Sequence, residues 1–119
     1  MLGFDTGLSI GAVLPQTGGP FSNASINGTY MMSQTPGGGY YSAAISGVGV
    51  SSGNGSLART LDLNGSGNPM TLTPTTTLTI GSDGRGTDTG MNSIYVVSPT
   101  RFLMMTGTSY YPGILDLEQ

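Results

Sequence analysis

Between Met70 and Ile80 the chain alternates residue by residue. Met70, Leu72, Leu78 and Ile80 fall on one parity, and Thr71, Thr73, Thr75, Thr77 and Thr79 fall on the other. A two-residue period of this kind belongs to a β-strand with one face against a core and the other in water. Pro74 cannot donate to a sheet ladder, so the strand is expected to bend or lie at an edge there.

The rest of the chain repeats this theme in shorter runs. Segments rich in Thr, Val, Ile, Tyr and Leu are separated by Gly, Asn and Asp clusters, and nowhere do apolar residues recur at helical spacing over three turns. Asn27 to Gln34, Tyr41 to Val50, Ser56 to Leu63, Met70 to Ile80, Thr87 to Gly90, Ile94 to Ser98, Arg101 to Thr106 and Ile114 to Gln119 read as strands. Gly53-Asn54-Gly55 and Ser82-Asp83-Gly84 read as hairpin turns, with Asn-Gly and Asp-Gly suited to type I′ geometry. The predicted fold is all-β. An antiparallel up-and-down meander of about eight strands closes most simply into a barrel, because closure removes both exposed edges; a two-sheet sandwich is the alternative.

Residues before Phe21 are additional to that meander. Ile10 to Leu14 reads as an extra N-terminal strand and Gln16-Thr17-Gly18-Gly19-Pro20 as a linker, which divides the chain into a segment 1–20 and a barrel module 21–119. The opening MLGFDTGLSIGAVLPQ is faintly similar to the closing LMMTGTSYYPGILDLEQ. Placing Gly11 on Gly113 pairs Met1 with Leu103, Leu2 with Met104 and Thr6 with Thr108. A self-similarity of about a hundred residues suits an array of small domains, in which residues 1–20 are the tail of a preceding module or a strand shared between subunits.

Composition narrows the function. The three basic residues are all arginine, six residues are acidic, and the formal net charge is −3. Nucleic acids and anionic membranes are held by dense positive charge, so neither is expected as a partner. The absence of His and Cys removes the usual nucleophile and base pairs. No apolar run approaches the roughly 20 residues needed to span a membrane as a helix. Met1-Leu2-Gly3-Phe4 lacks the charged start and apolar run of a secretion signal, so an exported protein would carry this chain as its mature form or as an excerpt.

Four segments together carry a resemblance. FSNASINGTY (Phe21 to Tyr30), LDLNGSG (Leu61 to Gly67), LTIGSDGRGT (Leu78 to Thr87) and YVVSPTRFLMM (Tyr95 to Met105), followed by the final LDLEQ, resemble the repeated modules of large, little-characterised extracellular proteins of soil-type bacteria. The resemblance covers nearly the whole chain, with SDGRGT as its most specific part. It implies a β-barrel-like repeat, an extracellular or cell-surface location and no transferable catalytic residues.

Several residues bear on chemistry. Leu14-Pro15-Gln16-Thr17-Gly18 matches the LPxTG sortase signal, yet a whole domain follows in place of an apolar segment and basic tail, so it reads as linker. Asp62-Leu63-Asn64-Gly65-Ser66-Gly67 matches the start of a calcium loop, but Thr73 stands where the bidentate Glu belongs, so it reads as a hairpin turn. Asp83 with Asp88, and Asp116 with Glu118, are carboxylate pairs lacking the aromatic groove that glycoside hydrolysis requires. We expect no enzyme, no metal and no cofactor. Arg59 lies on the apolar parity between Leu57 and Leu61, where a guanidinium either closes the barrel end with an acid or binds an anionic group.

The run Ile94 to Met105 is apolar on both parities, whereas a barrel wall needs one such face. Tyr95, Val97, Phe102, Met104 and Met105 are therefore candidates for self-association, together with Leu2, Phe4, Ile10, Val13 and Leu14 of the surplus N-terminal segment. The expected function is a structural module of a filament, stalk or surface layer, joined to neighbouring copies by strand addition. Two alternatives stand beside it. One is a lipocalin-like carrier with Tyr30, Met31, Met32, Leu57 and Arg59 at its mouth, although no Trp is present; the other is a glycan-binding adhesin using Tyr40, Tyr41, Tyr110 and Tyr111.

Overall fold

The structure is a computed structural model that describes residues 14–36, 44–65, 68–106 and 113–119. Among these residues nine strands follow a short 3-10 turn at Asn23–Ser25: β1 (Asn27–Pro36), β2 (Ala44–Ser52), β3 (Ser56–Gly65), β4 (Asn68–Leu72), β5 (Thr75–Ile80), β6 (Arg85–Asp88), β7 (Ser93–Ser98), β8 (Arg101–Thr106) and β9 (Gly113–Glu118). All pairings are antiparallel. Around the ring the order is β2-β1-β9-β8-β7-β6-β5-β3, and β2 pairing with β3 closes it. The protein is an eight-stranded barrel with β4 outside the ring as an additional strand on β3.

The fourth expected strand is present in two pieces. β4 pairs Leu72 with Leu61, and β5 pairs Thr75 with Ala58, so both hold one register along the same edge of β3. Thr73 and Pro74 fall between them, and Arg59 N–H donates to the Pro74 carbonyl at 2.9 Å, which carries the ladder across the break. Pro74 thus marks the point where the strand leaves the ring, for β6 pairs with β5 at Leu78 to Ile80 and extends no further toward β4.

Alternation then sorts side chains. Tyr30, Met32, Ile45, Leu57, Leu63, Leu78, Ile80, Ile94, Val96, Phe102, Met104, Leu115 and Leu117 fill the lumen, and Phe21 and Ile26 join them from the chain entering β1. Tyr30 and Phe102 meet edge to face with ring centroids 4.9 Å apart, a geometry that adds roughly 0.5–1.5 kcal/mol beyond burial. Each fully buried Leu, Ile or Phe contributes roughly 1.5–3 kcal/mol by leaving water.

Tight curvature is built with glycine. A Cβ on Gly47 would lie 2.0 Å from the Thr60 carbonyl oxygen, and one on Gly86 would lie 2.2 Å from that of Thr79. No residue with a side chain permits these close passes between strands, which is how a small barrel turns its corners.

One end of the barrel is covered by residues 14–26. Gln16 donates through Nε2 to the carbonyls of Asp83 (2.9 Å) and Val96 (2.8 Å), Thr17 N–H donates to Val97, and Phe21 N–H donates to Ser82. Asn23 Oδ1 accepts from Ile80 N–H at 2.8 Å. The stretch expected to be a linker, residues 16–20, is exposed but pinned by these bonds. The expected strand Ile10 to Leu14 lies, save for half-buried Leu14, outside the described residues.

Candidate functional site

Within the lumen the apolar filling is broken by Arg59. It is 7% exposed and stems from β3, opposite Gly49 of β2. A Cβ on Gly49 would lie 3.2 Å from Leu117 Cδ2 and 3.3 Å from Leu57 Cδ1, so the missing side chain makes room for these two leucines, and the Arg59 stem passes at ordinary contact distance. Arg59 Nη1 lies 3.8 Å from the sulfur of Met104 on β8. That strand is the fourth from β3 in either direction around the ring, so the Arg59 and Met104 side chains meet across the lumen.

A thioether is a weak acceptor for a charged donor. Among the described residues Arg59 Nε has no hydrogen-bond partner, and neither has Thr76 Oγ1, also buried on the same inward parity of the adjacent strand β5. Thr76 pairs with Leu57, one inward position from Arg59. Burial pushes the Arg59 pKa below its ordinary value, and the negative charge of Asp88 acts in the opposite direction.

Asp88 does not pair with Arg59 directly. Its Oδ1 accepts from the N–H groups of Gly90 and Asn92, both at 2.9 Å, and its Oδ2 accepts from Asn92 Nδ2 at 2.9 Å. This carboxylate organises the β6–β7 turn. The described ion pairs lie elsewhere, on the outer wall: Arg101 Nε and Nη2 grip Asp116 at 3.0 and 2.6 Å, and Glu118 lies 3.0 Å from Arg101 Nε. Hydrogen bonding to Asp116 holds the Arg101 pKa above its ordinary value. Arg101 uses its side-on fork on a carboxylate; Arg59 has the same fork with its Nε vacant.

The outer surface is a second candidate. Tyr95 and Met105 are exposed, Val97 and Leu103 are half-buried, and the ladder sets Tyr95 beside Leu103. Phe102 and Met104, expected on this face, point into the lumen at 1% and 0% exposure, so Leu103 takes their place outside. The register of β8 against β9, with Phe102 on Leu117 and Met104 on Leu115, selects that parity. Leu14 is half-buried beside the barrel, whereas Leu2, Phe4, Ile10 and Val13 lie outside the described residues, as do the tyrosines at 40, 41, 110 and 111.

Of the residues expected at a carrier's mouth, Tyr30, Met32, Leu57 and Arg59 face inward, but Met31 is 64% exposed on the outer wall. Strand parity places Met31 and Met32 on opposite faces. Sequence reasoning grouped Met70 and Leu72 with the core residues of their strand. They keep that parity, yet both are exposed, because β4 lies beyond the ring and no lumen stands over it. In the stretch read as a hairpin at 62–67, β3 continues to Gly65 and Asp62 Oδ1 accepts from the Thr71 hydroxyl across to β4. No family model, curated protein or solved structure matches the chain.

Proposed function

We propose that this protein is a structural module of an extracellular bacterial assembly, joined to copies of itself by strand addition. The observation that supports the reading is β4. The ring closes entirely from strands between Asn27 and Glu118, and among the described residues β4 is left as the terminal strand of the sheet, paired on one side alone. A free strand edge with exposed Met70 and Leu72 is a template for another strand.

The occupant we assign to that edge is residues 2–13 of a neighbouring copy. They precede the strap at Leu14, no position in the closed ring remains for them, and Leu2, Phe4, Leu8, Ile10 and Val13 supply apolar side chains. A contact of this kind is head to tail, and repetition that does not close produces a fibre. The outer row Tyr95, Val97, Leu103 and Met105 gives a second apolar surface for neighbours to cover.

The test removes residues 1–13 and retains Leu14, so that Gln16 and Phe21 still cover the barrel end. Light scattering and negative-stain electron microscopy should show polymers of the full chain and single particles of the truncated one. Polymers of equal length from both chains, or a full chain that stays monomeric at high concentration, defeat the reading.

A further inference from the structure

We propose that the outer wall at β6 and β7 binds an acidic sugar of the uronic acid class, in a cleft bounded by Arg85, Thr87, Ser93 and Tyr95. These four residues and Gly86 surround an open space of about 250 Å³. The site goes beyond assembly through β4 and stands independently of it.

The strand register builds the cleft. Arg85 pairs with Tyr95 and Thr87 with Ser93, so four side chains on the outward parity stand as two cross-strand pairs. Between them Ile94 is turned into the lumen at 0% exposure, and its partner Gly86 brings backbone alone. The sheet itself is therefore the floor, and the pairs are the walls.

Each wall carries a different chemistry. Arg85 is exposed, and among the described residues it has no carboxylate partner, whereas Arg101 is occupied by Asp116 and Glu118. Its planar guanidinium matches a carboxylate, as the fork of Arg101 on Asp116 does. Tyr95 sets an accessible ring beside it. The C–H face of a pyranose is apolar and lies on such a ring, whose phenol remains available to water or to a hydroxyl. The Thr87 and Ser93 hydroxyls each donate and accept, as sugar hydroxyls do.

Size and charge narrow the ligand. The volume is below the roughly 300–1,000 Å³ of clefts that enclose drug-sized molecules, so it holds one ring and leaves the rest of a glycan in solvent. A net charge of −3 repels a polyanion, which favours one charged ring in an otherwise neutral glycan.

The chain holds three arginines and no lysine, so their Nε–H resonances form a small, readable set. The full chain, labelled with nitrogen-15 and kept in mildly acidic buffer at a concentration where light scattering shows single particles, is titrated with methyl glucuronide. A parallel titration uses methyl glucoside, which lacks the carboxylate. The Arg85 Nε–H and Tyr95 amide signals should move saturably with the glucuronide, while Arg101 Nε–H holds still. The glucoside, and the glucuronide on Arg85→Gln, should each bind about three- to fivefold more weakly, the loss expected for one solvent-exposed ion pair. Tyr95→Ala should weaken both sugars severalfold. Three results overturn the proposal: no saturable shift at Arg85 and Tyr95, equal affinity for the two sugars, or N-acetylglutamate binding as tightly as the glucuronide, which would make the cleft a receptor for peptide carboxylates. Should a variant fail to fold, the matched titrations of the unaltered chain decide. Polymer length, the readout for the β4 edge, is not among these measurements, so either reading can fail alone.

Discussion

Two hairpin turns at opposite ends of the barrel share one hydrogen-bond pattern and differ in what covers them. In the β5–β6 turn Gly81 N–H donates to Arg85 and Gly84 N–H to Gly81; in the β6–β7 turn Asp88 N–H donates to Asn92 and Met91 N–H to Asp88. The residue in the left-handed region is Gly84 (φ 85°) in the first and Met91 (φ 64°) in the second. Gly84 is buried beneath Gln16 and Phe21, whereas Met91 is 87% exposed. The first end is a finished surface, sealed by the chain's own N-terminal strap. The second is held in shape by a carboxylate and leaves a bulky apolar side chain in solvent.

The comparison breaks most severely at Asp88. Asp88→Ala removes three hydrogen bonds from the β6–β7 turn and strands the buried Asn92 amide. A loss of about 3 kcal/mol in unfolding free energy is expected by urea denaturation. Its counterpart, Asp83→Ala, breaks one exposed bond to Arg85 N–H and should cost about 0.5–1 kcal/mol. Equal costs would mean that the two turns are not distinguished by burial.

Gly84→Ala comes next. The new Cβ would meet Gln16 Nε2 at 2.4 Å and the Val96 carbonyl at 3.1 Å, in a backbone conformation unfavourable to any side chain. We expect about 2 kcal/mol of destabilisation. In a Gln16→Ala background the increment should shrink, since the flexible amide is gone and the backbone strain remains. A strictly additive double-mutant cycle would show that the strap does not rest on this turn.

Met91→Gly has the opposite sign. It relieves left-handed strain without removing a buried contact, and should stabilise the protein by about 1 kcal/mol, raising Tm by several degrees. The unfolded chain gains entropy from the added glycine, which keeps the benefit small.

These cases also show what could be read before the structure. Alternation in Met70 to Ile80 identified the strand and its two faces, and Pro74 identified the place where it breaks. The inward placement of Arg59 followed from the same counting. Hidden from the sequence were the facts that depend on pairing partners. Nothing local says whether Phe102 or Leu103 faces inward, since both are apolar; the β9 register decides it. Turn chemistry was legible by location and misread by type. Asn54 and Asp83 were expected to take left-handed angles, yet the glycines at 53, 55 and 84 take them, and the Asn54 and Asp83 side chains accept from Ser56 and Arg85 N–H.

The smallest expected effect on the isolated barrel separates ring from edge. Leu72 and Leu78 share parity and strand direction, yet Leu78 is 1% exposed inside the ring and Leu72 is 45% exposed on β4. Leu78→Ala should cost about 2–5 kcal/mol through its cavity, while Leu72→Ser should change monomer stability by no more than about 0.5 kcal/mol. Burial in this sheet is therefore set by ring membership and not by the hydrophobic alternation that runs through both segments. If β4 receives a strand from a neighbour, Leu72→Ser should instead shorten polymers at a given concentration, with Tm of the truncated chain unchanged. A large stability loss in the truncated monomer would place Leu72 inside a core of its own, and the edge would not be free.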